Sequence, residues 1–192
     1  MSNHITVKLD TVLAAALAGL PRTTGATASA QAKIDRPVQI VLADVSASMA
    51  EPAGGRRKID VLSDALRYTP QGIWIAAFSS HVRNVCAGEP LPEPEGGTAL
   101  HLALRHARLL GATQLLVISD GHPDDARLAL AEADLMSTAR IDIVYCGPEH
   151  DIDGLNFMCR LARNGGAARH ANFARPQQFI NDTRRLLIGT QG

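Results

Sequence analysis

The sequence predicts an α/β fold, a Rossmann-like three-layer sandwich whose mainly parallel central sheet has one short antiparallel edge strand and helices on both faces. Three observations predict it. From residue 36 onward, short β-rich runs alternate with helical patterns, as crossovers between parallel strands require. The runs at 37–43 (PVQIVLA) and 114–119 (QLLVIS) are near-continuously apolar, the pattern of strands buried on both faces. Oxygen-bearing side chains gather where those two runs stop, and that edge of an open parallel sheet is where function sits.

The first strand, 37–43, is followed by a helix over 58–68 that places Ile59, Leu62, Ala65 and Leu66 on one face. Residues 72–78 (GIWIAAF) form the next strand. The short run 82–86 follows Ser79-Ser80-His81 so closely that it must turn back and pair antiparallel at an edge. A Pro-, Glu- and Gly-rich loop, 87–97, leads to Thr98 and a helix over 99–110 whose inward stripe is Leu100, Ala103, Leu104 and Ala107, with Gly111 as its stop. The central strand 114–119 runs straight into Asp120-Gly121. Asp124 or Asp125 caps the next helix, through Met136. A fifth strand at 141–146, a helix over 152–163 closed by Gly165-Gly166, and a weak last strand at 170–174 follow. Pro176 opens a final helix to about Leu187, with Phe179, Leu186 and Leu187 facing in.

At 192 residues the chain fits one domain, 36–192, preceded by an arm, 1–35, made of a short apolar helix and a polar linker. Lysine plus arginine and aspartate plus glutamate both number 19, so no net field gathers nucleic acid or an anionic membrane. Cys86, Cys146 and Cys159 form no CxxC pair, which argues against a disulfide framework or a zinc site and for reduced, mostly buried thiols. The apolar run 12–20 (VLAAALAGL) is about half of the roughly 20 residues a membrane-spanning helix needs. Asp10 just before it, its Ala-rich shortness and Arg22 before Ala28-Ser29-Ala30 argue against a signal peptide. A cytoplasmic location is expected, with export as the alternative if residues 1–30 act as a signal.

The candidate site is Asp44-Val45-Ser46-Ala47-Ser48 together with Asp120. Three oxygen side chains at i, i+2 and i+4 can be directed to one side of an extended or turning backbone. A carboxylate after an apolar strand is costly unless something neutralises it, and here that happens twice. A hard cation would do so. Asp44, Ser46, Ser48, Thr98 and Asp120 offer oxygen alone, which selects magnesium, manganese or calcium over zinc or copper. Hydroxyls and water-mediated carboxylates leave such an ion electrophilic, with a position open to an outside carboxylate.

DVSAS at 44–48, GGT at 96–98 opening a helix and ISDG at 118–121 resemble the von Willebrand factor type A (VWA) domain over roughly residues 36–188. The three segments occur in the family's order, with about 50 and then about 20 residues between them. The resemblance implies a metal-ion-dependent adhesion site formed by Asp44, Ser46, Ser48, Thr98 and Asp120, all five of which match the family's pattern. It also implies the short antiparallel edge strand, and partners that include other proteins. Intracellular bacterial members work beside AAA+ ATPases of the MoxR type or in multi-protein stress systems.

The expected function is therefore a metal-dependent protein-interaction module, an adaptor that takes a partner's Asp or Glu through the cation and is not an enzyme. His122 follows Asp120 and is read either as a contact for the incoming carboxylate or as a solvated rim residue. The basic run with Arg56 and Arg57 is either partner-facing rim or a solvated turn. His101 and His106, five apart, do not share a helical face as zinc ligands would, and His81, His150 and His170 are placed at the surface. One alternative is a structural subunit in which the metal only tethers loops. Another is a magnesium-dependent phosphoryl-transfer hydrolase with Asp44 as nucleophile. Against it, the haloacid-dehalogenase pattern wants an acid where Ser46 stands, and no nearby lysine is evident to balance charge. A dinucleotide site is excluded because no GxGxxG follows the first strand.

Overall fold

A computed structural model describes residues 37–86 and 88–189. The helix and linker expected before residue 36 lie outside the described residues. In chain order the elements are β1 (Gln39–Asp44), a 3-10 turn (Ala47–Ala50), β2 (Pro52–Ala53), β3 (Arg56–Arg57), α1 (Lys58–Leu66), β4 (Ile73–Phe78) and β5 (Val82–Val85). There follow α2 (Leu100–Leu109), β6 (Gln114–Ser119), α3 (Ala126–Asp134), β7 (Arg140–Tyr145), α4 (Ile152–Leu161), β8 (Ala168–His170) and α5 (Pro176–Gly189).

The main sheet among the described residues has the order β5-β4-β1-β6-β7-β8. All its pairings are parallel except β4 with β5, which run antiparallel with Phe78 opposite Val82. The edge strand expected from the tight turn at Ser79-Ser80-His81 is thus present. Strand residues alternate between two cores. Ile40, Leu42, Phe78, Val117, Ile143 and Tyr145 pack under α2, α3 and α4. Val41, Ala43, Ile75, Ile118 and Val144 pack under α1 and α5. Burial on both faces is why β1 and β6 read as unbroken apolar runs.

Leaving β1 the chain crosses to one face through α1, and leaving β6 it crosses to the other through α3. The crevice between the carboxyl ends of β1 and β6 is therefore the topological switch point of the sheet. Asp44 and Asp120 stand there. Among the described residues, no helix is long and apolar enough to cross a membrane.

Several boundaries differ from expectation for local reasons. Helix α1 stops at Leu66, because the Thr69 hydroxyl and N–H both donate to the Leu66 carbonyl, at 2.7 and 3.0 Å, ahead of helix-averse Pro70. Helix α3 stops at Asp134, and the Met136 N–H closes a turn on the Ala133 carbonyl at 3.0 Å. Helix α4 stops at Leu161 since Arg163 exchanges backbone hydrogen bonds with Ile141, at 3.1 and 3.2 Å. Strand β8 covers 168–170 rather than 170–174. The Ala167 N–H on the Asp142 carboxylate (3.1 Å) sets its start, and the Asn172 side chain, accepting from the Ala174 N–H at 2.7 Å, turns the chain away. The hairpin β2-β3 was not expected. Gly54 and Gly55, with φ of 62° and 83°, make the kind of two-residue turn that needs positive φ twice. Two of the three cysteines, Cys86 and Cys159, are exposed, so the expectation of mostly buried thiols holds only for Cys146.

Glu132 of α3 is a buried acid that ties α3 to α2. It accepts from the Arg105 Nε at 2.7 Å and from the Arg108 Nε and NH2 at 3.2 Å each. Burial alone would raise its pKa, and the two guanidiniums overcome that and hold it below the ordinary value. A lowered folded pKa means that the stabilisation is present above the unfolded pKa and lost as pH falls through the folded one. Glu132→Gln should thus lower stability by about 1 kcal/mol at pH 7. The difference from wild type should vanish in denaturation curves taken at acid pH.

Candidate metal centre

The Asp44 side chain is fully buried at the end of β1. Its Oδ1 accepts from the Ser46 N–H at 2.8 Å and its Oδ2 from the Ser119 hydroxyl at 2.5 Å. Burial outweighs these bonds and lifts its pKa to about 6, with neighbouring Asp120 adding a small push in the same direction. Ser46 is extended (φ −65°, ψ 166°), and its Oγ lies 3.1 Å from the Oγ of Ser48. Buried Met49 anchors the turn that follows.

Backbone bonds stitch this loop to its neighbours. The Val45 N–H donates to the Phe78 carbonyl at 2.8 Å, the Glu95 N–H to Val45 at 3.0 Å and the Ala47 N–H to Gly96 at 3.2 Å. The loop before α2 thereby brings Thr98 alongside. The Thr98 N–H donates to the Asp124 carboxylate at 2.9 Å, and the Asp124 N–H returns a bond to the Thr98 carbonyl at 3.0 Å. Gly97 permits this approach, since a Cβ there would sit 2.6 Å from an Asp124 carboxylate oxygen. Of the two candidate caps, Asp125 caps α3 through the Leu128 N–H at 2.8 Å, while Asp124 braces the Thr98 loop.

Ser46, Ser48, Thr98 and Asp120 line one cavity of about 350 Å³, with His122 and Pro148 also on its wall. Asp44 is buried beside Ser46 and is not on that wall. His122 is exposed, and its Nε2 lies 2.6 Å from the Asp151 carboxylate. Asp151 also accepts from the Gly154 N–H at 3.1 Å and the Tyr145 hydroxyl at 3.0 Å. The Gly154 bond chiefly, then Tyr145 and His122, hold the Asp151 carboxyl below its ordinary pKa against the effect of burial. Arg56 and Arg57 lie outside the cavity wall. They pair with Asp64 at 2.7 Å and with Asp60 and Glu93 at 2.8 and 2.7 Å. A larger cavity of about 540 Å³ lies at the opposite end of the sheet, where Gln39, Gln114 and Arg140 begin their strands, and it holds none of the expected site residues.

Two expectations need correction. Asp120 already has a neutralising partner: Lys58 at the start of α1 donates to its Oδ2 at 3.1 Å and to Glu51 Oε2 at 2.8 Å. Burial would lower the Lys58 pKa, but the hydrogen bond it donates to Glu51 and the charge of Asp120 raise it overall. A charge-balancing lysine is therefore present, contrary to expectation, and Asp120 does not by itself demand a metal. Lys58 was hidden within a basic run whose three members look alike, and only the register of α1 singles it out. Ser119 was missed because it reads as the last residue of an apolar strand, and Asp124 because the next helix needed a cap.

Among the described residues no three His, Cys, Asp or Glu side chains gather as they would around a metal ion, so any cation here would rest largely on hydroxyls. The donors suit a hard cation. In an octahedral shell with bonds of about 2.1 Å, adjacent ligand atoms stand about 3.0 Å apart. The Ser46 and Ser48 oxygens, at 3.1 Å, match that edge.

A doubly wound α/β sheet with hydroxyls and a carboxylate at its switch point defines the structural class. Solved structures narrow it to a VWA-like fold. A von Willebrand factor type A protein from Catenulispora acidiphila superposes with a TM-score of 0.60 at 17% identity, over 79% of this chain and 42% of that one. The vWF domain of the type V pili tip protein Mfa5 from Porphyromonas gingivalis gives 0.58 at 12% identity, over 80% and 96%. Manganese-loaded TRAP protein from Plasmodium vivax gives 0.54 at 16% identity, over 77% and 73%. No family model and no curated protein sequence matches the chain.

Proposed function

We propose that this chain is a protein-interaction module that captures an acidic side chain of a partner protein through a divalent cation. Magnesium is the first candidate, with manganese or calcium in its place. Ser46, Ser48, Thr98 and Asp120 would hold the ion, with Asp44 buried beside Ser46 and His122 at the rim. The observation that carries this reading is the convergence of Ser46, Ser48, Thr98 and Asp120, from loops after β1, before α2 and after β6, on a single cavity. The cation would supply a Lewis-acidic position for an outside carboxylate. The residues themselves orient it: the Asp44 carboxylate fixes Ser46, and Asp124 fixes Thr98.

Lys58 gives the hydrolase alternative the lysine it lacked. Against it, Asp44 is fully buried and both its oxygens already accept hydrogen bonds. The partner proposed is a subunit of a multi-protein complex, such as an AAA+ ATPase. A cytoplasmic setting is proposed too, since exposed free thiols at Cys86 and Cys159 suit a reducing compartment.

Pull-down from cell extract with magnesium, followed by mass spectrometry, tests this directly. A partner retained by the wild type should be lost on adding EDTA and lost with Ser46→Ala. A partner held equally well in all three conditions would rule out a metal-bridged contact.

A further inference from the structure

We infer that Lys58 is a tethered cation that occupies Asp120 when no divalent ion is bound and withdraws to Glu51 when one is. This rests on the metal-binding reading above and adds to it a residue that sets how tightly the ion is held. The Lys58 ammonium lies on the wall of the same cavity as the hydroxyls, bonded to the one carboxylate that lines it among the expected ligands. An ammonium and a divalent ion on the same carboxylate repel strongly where water is scarce, and the Lys58 and Asp120 side chains are only 12% and 11% exposed.

The retreat is built in. Glu51 accepts from Nζ at 2.8 Å, closer than Asp120 at 3.1 Å, and its side chain is 63% exposed. The Lys58 backbone is pinned beside it, with its N–H on the Glu51 carbonyl at 3.0 Å. Glu51 lines the same cavity at its exposed side, so letting go of Asp120 costs the ammonium one of two partners and leaves it there on a flexible four-carbon stem. With the ion present, the three carboxylates Asp44, Asp120 and Glu51 face one ammonium and one divalent charge, and the cluster is neutral. The basic neighbours Arg56 and Arg57 are held by their own acids and do not compete for Glu51.

Manganese binding to the full chain, followed by isothermal titration and by the loss of the free-ion electron paramagnetic resonance signal, tests the inference. Lys58→Met should bind Mn²⁺ about tenfold more tightly than wild type. Lys58→Arg, which keeps the charge, should stay near wild type. Glu51→Gln removes a carboxylate that lines the cavity and is the resting place; it should weaken binding several-fold with Lys58 present and much less in the Lys58→Met background. Equal affinity of wild type, Lys58→Met and Glu51→Gln would overturn the gate while leaving the metal site standing. No Mn²⁺ uptake by any of them would overturn the metal site itself, and the gate with it.

Discussion

Asp44→Asn is expected to stabilise the metal-free protein by about 3 kcal/mol at pH 7 and, by removing a negative charge from beside Ser46, to weaken Mn²⁺ binding. The stabilising half follows from burial. The Asp44 carboxyl has its pKa raised from 3.8 to about 6 because desolvation outweighs the bonds from Ser119 and Ser46. At roughly 1.4 kcal/mol per pKa unit, the ionised form costs the fold about 3 kcal/mol. With the folded pKa above the unfolded one, the stability contributed by the bound proton is fully present below pH 3.8 and lost as pH rises through 6. Asparagine keeps an acceptor for the Ser46 N–H and offers its amide to the Ser119 hydroxyl, which can turn to accept. Denaturant unfolding in chelator should show wild type gaining on Asp44→Asn between pH 7 and pH 5. A variant less stable than wild type at pH 7 would mean that the carboxylate is held there for stability. A site that destabilises its own fold is what a residue kept for binding looks like.

The sheet was legible from sequence because burial on both faces leaves an unambiguous trace. Apolar runs at β1 and β6, the stripe Leu100, Ala103, Leu104, Ala107 and the turn before β5 each follow from one physical constraint. What escaped were the features set by contacts between distant segments. The register of β8 depends on Asp142 receiving the Ala167 N–H, and the end of α4 on Arg163 meeting Ile141. Neither bond leaves a mark in local composition. At the site, four of the five residues picked by spacing and by family resemblance line one cavity, while Asp44 is buried beside Ser46 and off its wall. Lys58, Ser119 and Asp124 did not stand out because a basic run, a strand end and a helix cap each gave them an ordinary explanation. Only the fold shows that Lys58 crosses from α1 to Asp120, 62 positions along the chain.

Phe179→Ala should do the opposite of Asp44→Asn, lowering stability by about 3–5 kcal/mol and leaving metal affinity unchanged. Phe179 is 1% exposed in the second core, and its ring packs on Phe173 with centroids 4.5 Å apart, tilted by 39°. The pair fastens the first turns of α5 over the sheet beside α1. Truncation leaves a cavity in the packed core, and for a domain of this size the loss amounts to roughly 10 °C or more in melting temperature. None of the described side chains of α5 lies on the wall of the cavity formed by Ser46, Ser48, Thr98 and Asp120. Mn²⁺ titration below the melting transition should therefore give the wild-type affinity. If affinity falls with stability, the crevice at β1 and β6 is coupled to the packing of α5, and the donor geometry is not pre-formed by the loops alone. If it does not, stability and ion binding reside in different parts of the fold. Asp44→Asn and Phe179→Ala then separate them in opposite directions, which no single loss of structure can produce.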